Sequence, residues 1–222
     1  MQKGNARTCK RVMLFASKGG MGKTTVASNL LVSAAQDGFK VIGVDFDGQK
    51  SLTTWFEARA QHPSMADMAQ VDVGPAPLDE WEAVLDQTER DYELAVFDMP
   101  PGIDPNLQAV LASLVPRMDL IIIPTPPERP SYGKVIDFMG QFRKSGLKSI
   151  WLLNKVVKNR TSLREARAEL AEYGPLCPVE ITMRDEVWRA FDAGSAVAEL
   201  GDAAGLAEIN GVWKFTRGCL SC

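Results

Sequence analysis

The chain has 222 residues, of which 45% are hydrophobic and 24% charged, the composition of an ordinary globular protein. Its 25 Lys and Arg against 28 Asp and Glu give a net charge of −3, which excludes nucleic-acid binding through overall positive charge. Its apolar runs fall short of the roughly 18 residues that cross a bilayer, and residues 1–10 are too polar for a secretory signal. We therefore expect a cytoplasmic, single-domain protein over residues 1–222, with flexible tails at 1–10 and about 216–222.

Short apolar runs alternate with helical patterns along the chain. The predicted strands are 11–16, 40–45, 93–98, 120–124, Ser149–Leu153 and 179–181. The predicted helices are 24–36, 51–59, 78–88, Pro105–Leu114, 131–144, 162–172, 186–192 and about 203–215. Because the strands are almost continuously apolar, both faces of their sheet should be covered. The alternation predicts a doubly wound α/β fold, a mainly parallel sheet with helices on both faces.

Residues 17–25 read Ser-Lys-Gly-Gly-Met-Gly-Lys-Thr-Thr and directly follow the first predicted strand. Glycines allow consecutive backbone N–H groups to converge on a phosphate, and the helix that begins at Thr24 adds the positive end of its dipole. Lys23 supplies a charge for the β- and γ-phosphates, and the Thr24 hydroxyl is placed to bind Mg²⁺. The strict pattern has glycine where this chain has Ser17. The segment predicts a nucleotide-binding P-loop with a second lysine, Lys18, at its head.

Carboxylates follow the next two predicted strands. Asp45 and Asp47 lie at the end of one, and Asp98 ends the other, just before a Pro-Pro-Gly turn. A P-loop needs such groups at the carboxyl ends of neighbouring strands, because Mg²⁺ binds oxygen ligands and water. The surroundings of Asp98 are those of a Walker B carboxylate, which holds a water on the metal and reinforces Thr24. We predict a magnesium site formed by Thr24, Asp45 and Asp98.

The loop with its leading lysine resembles the deviant Walker A motif, Lys-Gly-Gly-x-Gly-Lys-Thr-Thr, of the ParA/MinD family of ATPases. The resemblance implies an ATPase that uses ATP and Mg²⁺ and has weak intrinsic activity. It implies that Lys18 crosses a dimer interface to the nucleotide of a second subunit, so that Lys18, Lys23 and Asp47 are the catalytic residues. Asp47 then orients the attacking water and Asp45 supports the metal's hydration shell, although Gly48 replaces the proline that the family usually has.

The resemblance covers residues 11–215 and is strongest to the short ParA partition ATPases of the ParF type. Because ten residues precede the first predicted strand, we expect no N-terminal helix-turn-helix. By the resemblance, Asn154 at a strand end faces adenine, and Arg184 belongs to the matching C-terminal region. The predicted ATP-binding residues are Lys18, Gly19, Gly20, Met21, Gly22, Lys23, Thr24, Thr25, Asn154 and Arg184.

The family's behaviour implies the partners of this chain. They are a second copy in the presence of ATP, nonspecific DNA, and a ParB-like adaptor that stimulates hydrolysis. Phosphate contacts need Lys or Arg without base readout, and Arg189, Lys214 and Arg217 are the DNA-binding candidates. A second basic cluster at 155–167 is interleaved with Glu residues, which also fits an ordinary solvated helix face. The expected function is partition of DNA, or positioning of another cargo that the sequence does not reveal.

Two alternatives concern the C-terminal region. Cys219 and Cys222 have metal-ligand spacing, and a dimer joining two such pairs would make an Fe–S cluster carrier. An apolar stripe at Leu206, Ile209, Val212 and Trp213 fits a MinD-like membrane anchor. Such a stripe is more often a helix packed on its own domain, which is the reading that we favour.

Overall fold

The computed structural model describes residues 9–144, 146–201 and 203–220, and over 137–144 it describes the backbone alone. In these ranges the chain forms a sheet of six parallel strands in the order β3-β2-β4-β1-β5-β6. The strands are β1 (Lys10–Leu14), β2 (Val41–Asp45), β3 (Asp72–Pro75), β4 (Leu94–Asp98), β5 (Leu120–Thr125) and β6 (Ser149–Leu153). The parallel sheet confirms the predicted fold class.

Eight α-helices lie in the part of the chain that the structure describes. They are α1 (Lys23–Gln36), α2 (Ser51–Ala60), α3 (Trp81–Asp91), α4 (Pro105–Leu114), α5 (Arg129–Lys144), α6 (Thr161–Tyr173), α7 (Asp185–Asp192) and α8 (Leu206–Leu220). One face of the sheet is covered by α1, α2, α7 and α8, and the other by α3 to α6. Val12 and Leu14 of β1 pack on one side and Met13 on the other. The five strands other than the edge strand β3 are therefore buried on both faces, which explains their near-continuous apolar sequences.

The order of the strands places the predicted site. From β1 the chain adds strands toward β3 on one side and toward β6 on the other, so the topology reverses at β1. Ligands of open α/β sheets bind outside the carboxyl ends of the strands at such a reversal. The register places Asp45 at the end of β2 beside Asp98 at the end of β4, and Asp98 beside Leu14 of β1. The P-loop and the two loops that follow Asp45 and Asp98 therefore all begin at the carboxyl ends of adjacent strands.

One strand prediction was wrong, and one strand was not predicted. Residues 179–181 do not form a strand, and on either side of them Leu176 and Thr182 make isolated bridges to Trp151 and Val156. The preceding prolines remove backbone donors that a regular ladder needs. The strand that was not predicted is β3. Its Gly74-Pro75 end is typical of a turn, but it pairs with β2 at the edge of the sheet, where proline is tolerated.

The C-terminal helix packs on the domain, as the favoured interpretation of its apolar stripe predicted. Ile209, Val212 and Trp213 are buried, and the Trp213 indole donates to Asp37 at 2.7 Å. This contradicts the membrane-anchor alternative, because the apolar face is used within the chain. The helix also extends to Leu220, so part of the expected C-terminal tail belongs to α8, just as Lys10 belongs to β1. No helix within the described ranges is both long and apolar enough to cross a membrane.

Candidate nucleotide site

The P-loop joins the end of β1 to the start of α1, and Gly22 caps the helix. Gly22 has a φ of 91°, which favours glycine. A Cβ atom at this position would also lie 2.1 Å from the Asn154 Nδ2 atom. The Asn154 amide donates to the Met21 carbonyl at 3.0 Å, so the end of β6 supports the loop from behind. Gly22 is therefore required by both backbone conformation and space.

A cavity of about 220 Å³ lies against the start of α1. The residues that line it are Gly19, Gly20, Gly22, Lys23, Thr24, Thr25, Asp47, Gln49, Ser51, Pro101, Lys155 and Phe191. Lys23 is only 5% exposed, so its charge is held at the cavity rather than in solvent. Backbone N–H groups at a helix N-terminus and a buried lysine together favour an anion. The structure thus brings most of the predicted phosphate-binding residues to one cavity.

Thr24 and Asp98 meet beside this cavity. The Thr24 hydroxyl donates to Asp98 Oδ2 at 2.6 Å, and Asp98 is fully buried. Burial raises the pKa of Asp98 to about 7, against the opposing effects of the Thr24 hydrogen bond and the Lys23 charge. Among the described residues, Asp98 Oδ1 has no hydrogen-bond partner. A buried carboxylate oxygen left in this state fits a divalent cation or its bound water.

Asp45 holds the loop that carries Asp47. Asp45 Oδ1 accepts a hydrogen bond from the Asp47 N–H at 3.1 Å. Its other oxygen accepts from the Thr53 N–H at 2.9 Å and from the Thr53 hydroxyl at 3.1 Å. The Asp47 carboxylate accepts from the Gln49 N–H and lines the phosphate cavity. Asp45 therefore shapes the turn, and any support for the metal's hydration shell falls to its remaining lone pairs.

The two P-loop lysines lie in different environments. Lys18 is exposed, and its Nζ donates to the Pro130 carbonyl at the start of α5 at 2.6 Å. Lys18 is not among the described residues that line the phosphate cavity, whereas Lys23 is. A lysine at the head of a phosphate loop is thus turned away from the phosphate site of its own chain.

A second cavity of about 250 Å³ adjoins the loop on the side of β6 and α7. The residues that line it are Thr25, Asn154, Lys155, Ile181, Thr182, Met183, Arg184, Val187 and Trp188. Asn154 and Arg184, both predicted to bind ATP, line this one cavity. The mostly apolar lining and its adjacency to the phosphate cavity suit a nucleotide base.

Arg184 is fixed by an acidic neighbour on α8. Its guanidinium lies 3.2 Å from Glu208, which also accepts hydrogen bonds from the Thr182 N–H and hydroxyl. Burial raises the pKa of Glu208, but the Thr182 and Arg184 hydrogen bonds outweigh it and hold the pKa below its usual value. Glu208 therefore stays ionised and keeps Arg184 at the cavity wall.

Sequence reasoning missed several residues of the site. The Lys155 Nζ donates to the Gly20 carbonyl at 2.8 Å and ties β6 to the P-loop a second time. Trp188 and Met183 are exposed at the wall of the second cavity, and Phe191 lines the first. The one available signal was the position of Lys155, directly after Asn154 at a strand end. The α7 residues carried none, because their place depends on how a distant helix packs.

The basic residues predicted to bind DNA are exposed on α7 and α8. Arg189 stacks on the Trp188 ring, and Lys214 faces solvent. Arg217 pairs with Asp37 at 2.9 Å, so the neighbouring carboxylate partly offsets its attraction for a phosphate. In the other basic cluster, Arg167 pairs with Glu180 and Lys158 with Glu208, as on an ordinary solvated helix face.

The structure describes one of the two C-terminal cysteines. Cys219 lies in the last turn of α8, half-buried, and its carbonyl accepts from the Lys148 Nζ at 2.9 Å. Cys222 lies outside the described residues. The Fe–S alternative therefore remains a prediction from the sequence.

Comparison with known proteins leads to the same assignment as the geometry of the site, a nucleotide-binding P-loop protein. A relative from Gloeobacter kilaueensis, named maintenance of carboxysome distribution protein A, is 37% identical over 116 residues, which are 52% of this chain and 49% of the relative. That match thus spans about half of the relative's length. The protein of the same name from Halothiobacillus neapolitanus is 27% identical over 190 residues, covering 83% of this chain and 84% of that one.

A solved structure reproduces the fold. The MinD cell division protein of Aquifex aeolicus superposes with a TM-score of 0.76 at 16% identity, covering 94% of this chain and 97% of that one. The family model described as CobQ/CobB/MinD/ParA nucleotide binding domain matches residues 12–197, from the P-loop strand to beyond α7. The predicted resemblance is confirmed. The chain belongs to the CobQ/CobB/MinD/ParA nucleotide-binding family and is a P-loop ATPase of its ParA/MinD group.

Proposed function

We propose that this chain is an ATP-dependent positioning ATPase that works as a dimer. Two copies close around ATP, the closed dimer binds nonspecific DNA, and an adaptor protein resets it by stimulating hydrolysis. The observation that carries the proposal is the outward position of Lys18, exposed at the head of the P-loop and bonded to the Pro130 carbonyl of its own chain. A charge placed there completes a phosphate site only across an interface with a second copy.

The residues present fit Mg²⁺, which when bound would supply positive charge to the phosphates of the nucleotide. Thr24 and Asp98 would hold it, since their side chains meet at 2.6 Å and Asp98 Oδ1 is buried without a partner among the described residues. Asp45 would contact its water shell and keep the following turn in shape. These roles restate the sequence prediction with a firmer geometric basis for Thr24 and Asp98.

Hydrolysis depends on placing water and neutralising charge, and the proposed roles divide accordingly. Asp47 lines the phosphate cavity and would orient the attacking water. Lys23, held at the same cavity, would neutralise the phosphates from within the subunit. Lys18 of a second copy would add charge where it develops in the transition state. Such a site is slow as a monomer and faster as a dimer, which is the behaviour of a switch.

The cargo is the least constrained part of the proposal. Two relatives are named for maintaining carboxysome distribution, which supports positioning of a cargo rather than plasmid partition in particular. Exposed Arg189 and Lys214 support contact with DNA phosphates. We propose that DNA serves as the track and that an adaptor connects the ATPase to whatever is positioned.

The test combines dimerisation with DNA retention. Wild-type protein with Mg–ATP should form a dimer in analytical ultracentrifugation and retain a DNA duplex, and neither should occur with ADP. Lys23→Ala should lose both properties because it removes the phosphate charge, whereas Asp47→Ala should keep both and lose hydrolysis. DNA binding that is indifferent to the nucleotide would refute the switch.

Lys18 has a matched control. Lys18→Ala should still bind ATP but should fail to accelerate hydrolysis as protein concentration rises. Lys40→Ala removes another exposed lysine, at the opposite end of the sheet, and should behave like the wild type. If hydrolysis by Lys18→Ala responds to concentration as the wild type does, the interface role of Lys18 is wrong.

A further inference from the structure

Arg59, near the end of α2, is 1% exposed and lies away from the cavities described above. Its guanidinium donates to both Glu199 carboxylate oxygens, at 2.6 and 2.8 Å. It also donates to the carbonyls of Gly194 at 3.1 Å and Ala69 at 2.7 Å. Burying an ion pair brings little net stability, so such a satisfied network is better understood as fixing one arrangement of the elements it joins.

The network joins α2 to the segment directly after α7. A Cβ atom on Gly194, whose φ is 73°, would lie 2.1 Å from the Arg59 backbone nitrogen, so the two backbones are in contact. Trp55, one turn earlier in α2, donates from its indole to the Ser195 carbonyl at 2.9 Å. Glu199 also accepts from the Ala196 N–H at 3.0 Å. The end of α2 and residues 194–199 therefore form one block.

Each end of this block leads to the nucleotide site. The Ser195 N–H donates to the Ala190 carbonyl, which fastens the block to α7, whose Trp188 and Phe191 line the two cavities. At the other end of α2, Thr53 holds Asp45, and Asp45 holds the Asp47 N–H. One short helix thus spans the distance between the wall of the base cavity and the turn that carries Asp47.

We propose that Arg59 is a positioning residue for ATP hydrolysis. Arg59 locks α2 to the segment after α7, so that nucleotide bound against α7 fixes the position of the turn that carries Asp47. Arg59 touches neither nucleotide nor water and acts only through α2. The planar guanidinium is needed because it serves two carbonyls and a carboxylate at once, which an ammonium group cannot do in the same plane. The inference rests on the proposed role of Asp47.

The test separates nucleotide binding from turnover. Arg59→Lys keeps the positive charge and loses the planar set of guanidinium N–H donors. Kd for a fluorescent ATP analogue should stay within about twofold of the wild type. The value of kcat should fall about tenfold, the size expected when a catalytic group is misplaced. Trp55→Phe removes the hydrogen bond to Ser195 together with part of a buried ring, keeps the Arg59 fork, and should lower kcat by about threefold. Hydrogen exchange of residues 46–52 should slow on nucleotide binding in the wild type and not in Arg59→Lys.

A second buried arginine that pairs with a carboxylate, among the residues that the structure describes, is the matched control. Arg11 contacts Glu89 at 3.1 Å and the Leu85 carbonyl, which joins β1 to α3 on the other face of the sheet. Arg11→Lys should lower the melting temperature as Arg59→Lys does, but leave kcat within about twofold of the wild type.

Two kinds of failure are distinguishable. The proposed function fails if the wild-type protein does not hydrolyse ATP. The positioning role alone fails if the wild type turns over and Arg59→Lys and Trp55→Phe keep its kcat. It also fails if Kd and kcat weaken together, or if Arg11→Lys loses as much kcat as Arg59→Lys, since general destabilisation then explains the result.

Discussion

Replacing Asp98 by asparagine should stabilise the metal-free protein relative to the wild type, and the difference in the free energy of unfolding should grow as the pH rises. Asp98 is fully buried, and in the absence of a cation the structure offers its Oδ1 atom no partner among the described residues. The amide of Asp98→Asn still accepts the Thr24 hydrogen bond but cannot ionise. The substitution therefore removes the cost of a buried charge and retains the contact that positions Thr24.

The magnitude follows from the pKa of Asp98, which burial raises from 3.8 to about 7. A raised carboxyl pKa means that the folded protein binds the proton more tightly than the unfolded chain. The resulting stabilisation is fully present below pH 3.8 and is lost as the pH rises through about 7. A shift of three units at about 1.4 kcal/mol each gives a loss of about 4 kcal/mol.

The assay is urea unfolding of both proteins in EDTA, without nucleotide, at intervals from pH 4.5 to 8. The free energy of unfolding of Asp98→Asn minus that of the wild type should rise by about 3 to 4 kcal/mol over this range. Asp91→Asn, which removes an exposed carboxyl at the end of α3 near the start of β4, reports the general effect of removing one negative charge. A difference that stays flat or falls with pH would refute the reasoning.

Two further predictions test the loop and the DNA surface. Gly22→Ala should weaken ATP binding more than tenfold in a fluorescent-nucleotide titration, because strain at positive φ adds to the clash with Asn154. Gly22→Ala combined with Asn154→Ala should recover only part of the loss, and normal binding by Gly22→Ala alone would contradict the geometry. Lys214→Ala and Arg189→Ala should each reduce the slope of log K for DNA against log salt by about 1, measured by fluorescence anisotropy with ATP. Arg217→Ala should reduce it less, because Arg217 already pairs with a carboxylate, and slopes equal to the wild type's would exclude this surface.

The predictable part of the site is the part encoded locally. The P-loop could be found because its glycines, its lysine and the preceding apolar strand are contiguous in the chain. Asp45, Asp47 and Asp98 could be found because they lie at or just after the ends of apolar strands, and a parallel sheet brings the carboxyl ends of its strands together. The structure confirms their meeting, with Asp45 and Asp98 side by side in the register of β2 and β4.

The part that escaped prediction depends on contacts between distant segments. Asn154 appeared as a base-facing residue, but its amide also supports the Met21 carbonyl, 133 residues away in sequence. Arg59 sits in a polar helix end and gives no sequence signal for a network that reaches Glu199 across 140 residues. The edge strand β3 was missed for a related reason, since glycine and proline define a turn locally and only pairing with β2 makes a strand.

Two features of the site point to the same proposed reaction cycle. Asp98 lacks a partner for Oδ1 among the described residues, which a cation or its water would provide, and Lys18 lies outside its own phosphate cavity, which a second copy would correct. In the proposed cycle the first of these is a buried charge that lowers the stability of the metal-free protein, so Mg–nucleotide binding would stabilise the fold by relieving it, as linkage requires. The second is not relieved by nucleotide alone. In the proposed cycle nucleotide binding and dimerisation are therefore separate steps, and holding Asp47 ready during the first, as proposed for Arg59, would leave hydrolysis waiting for the second.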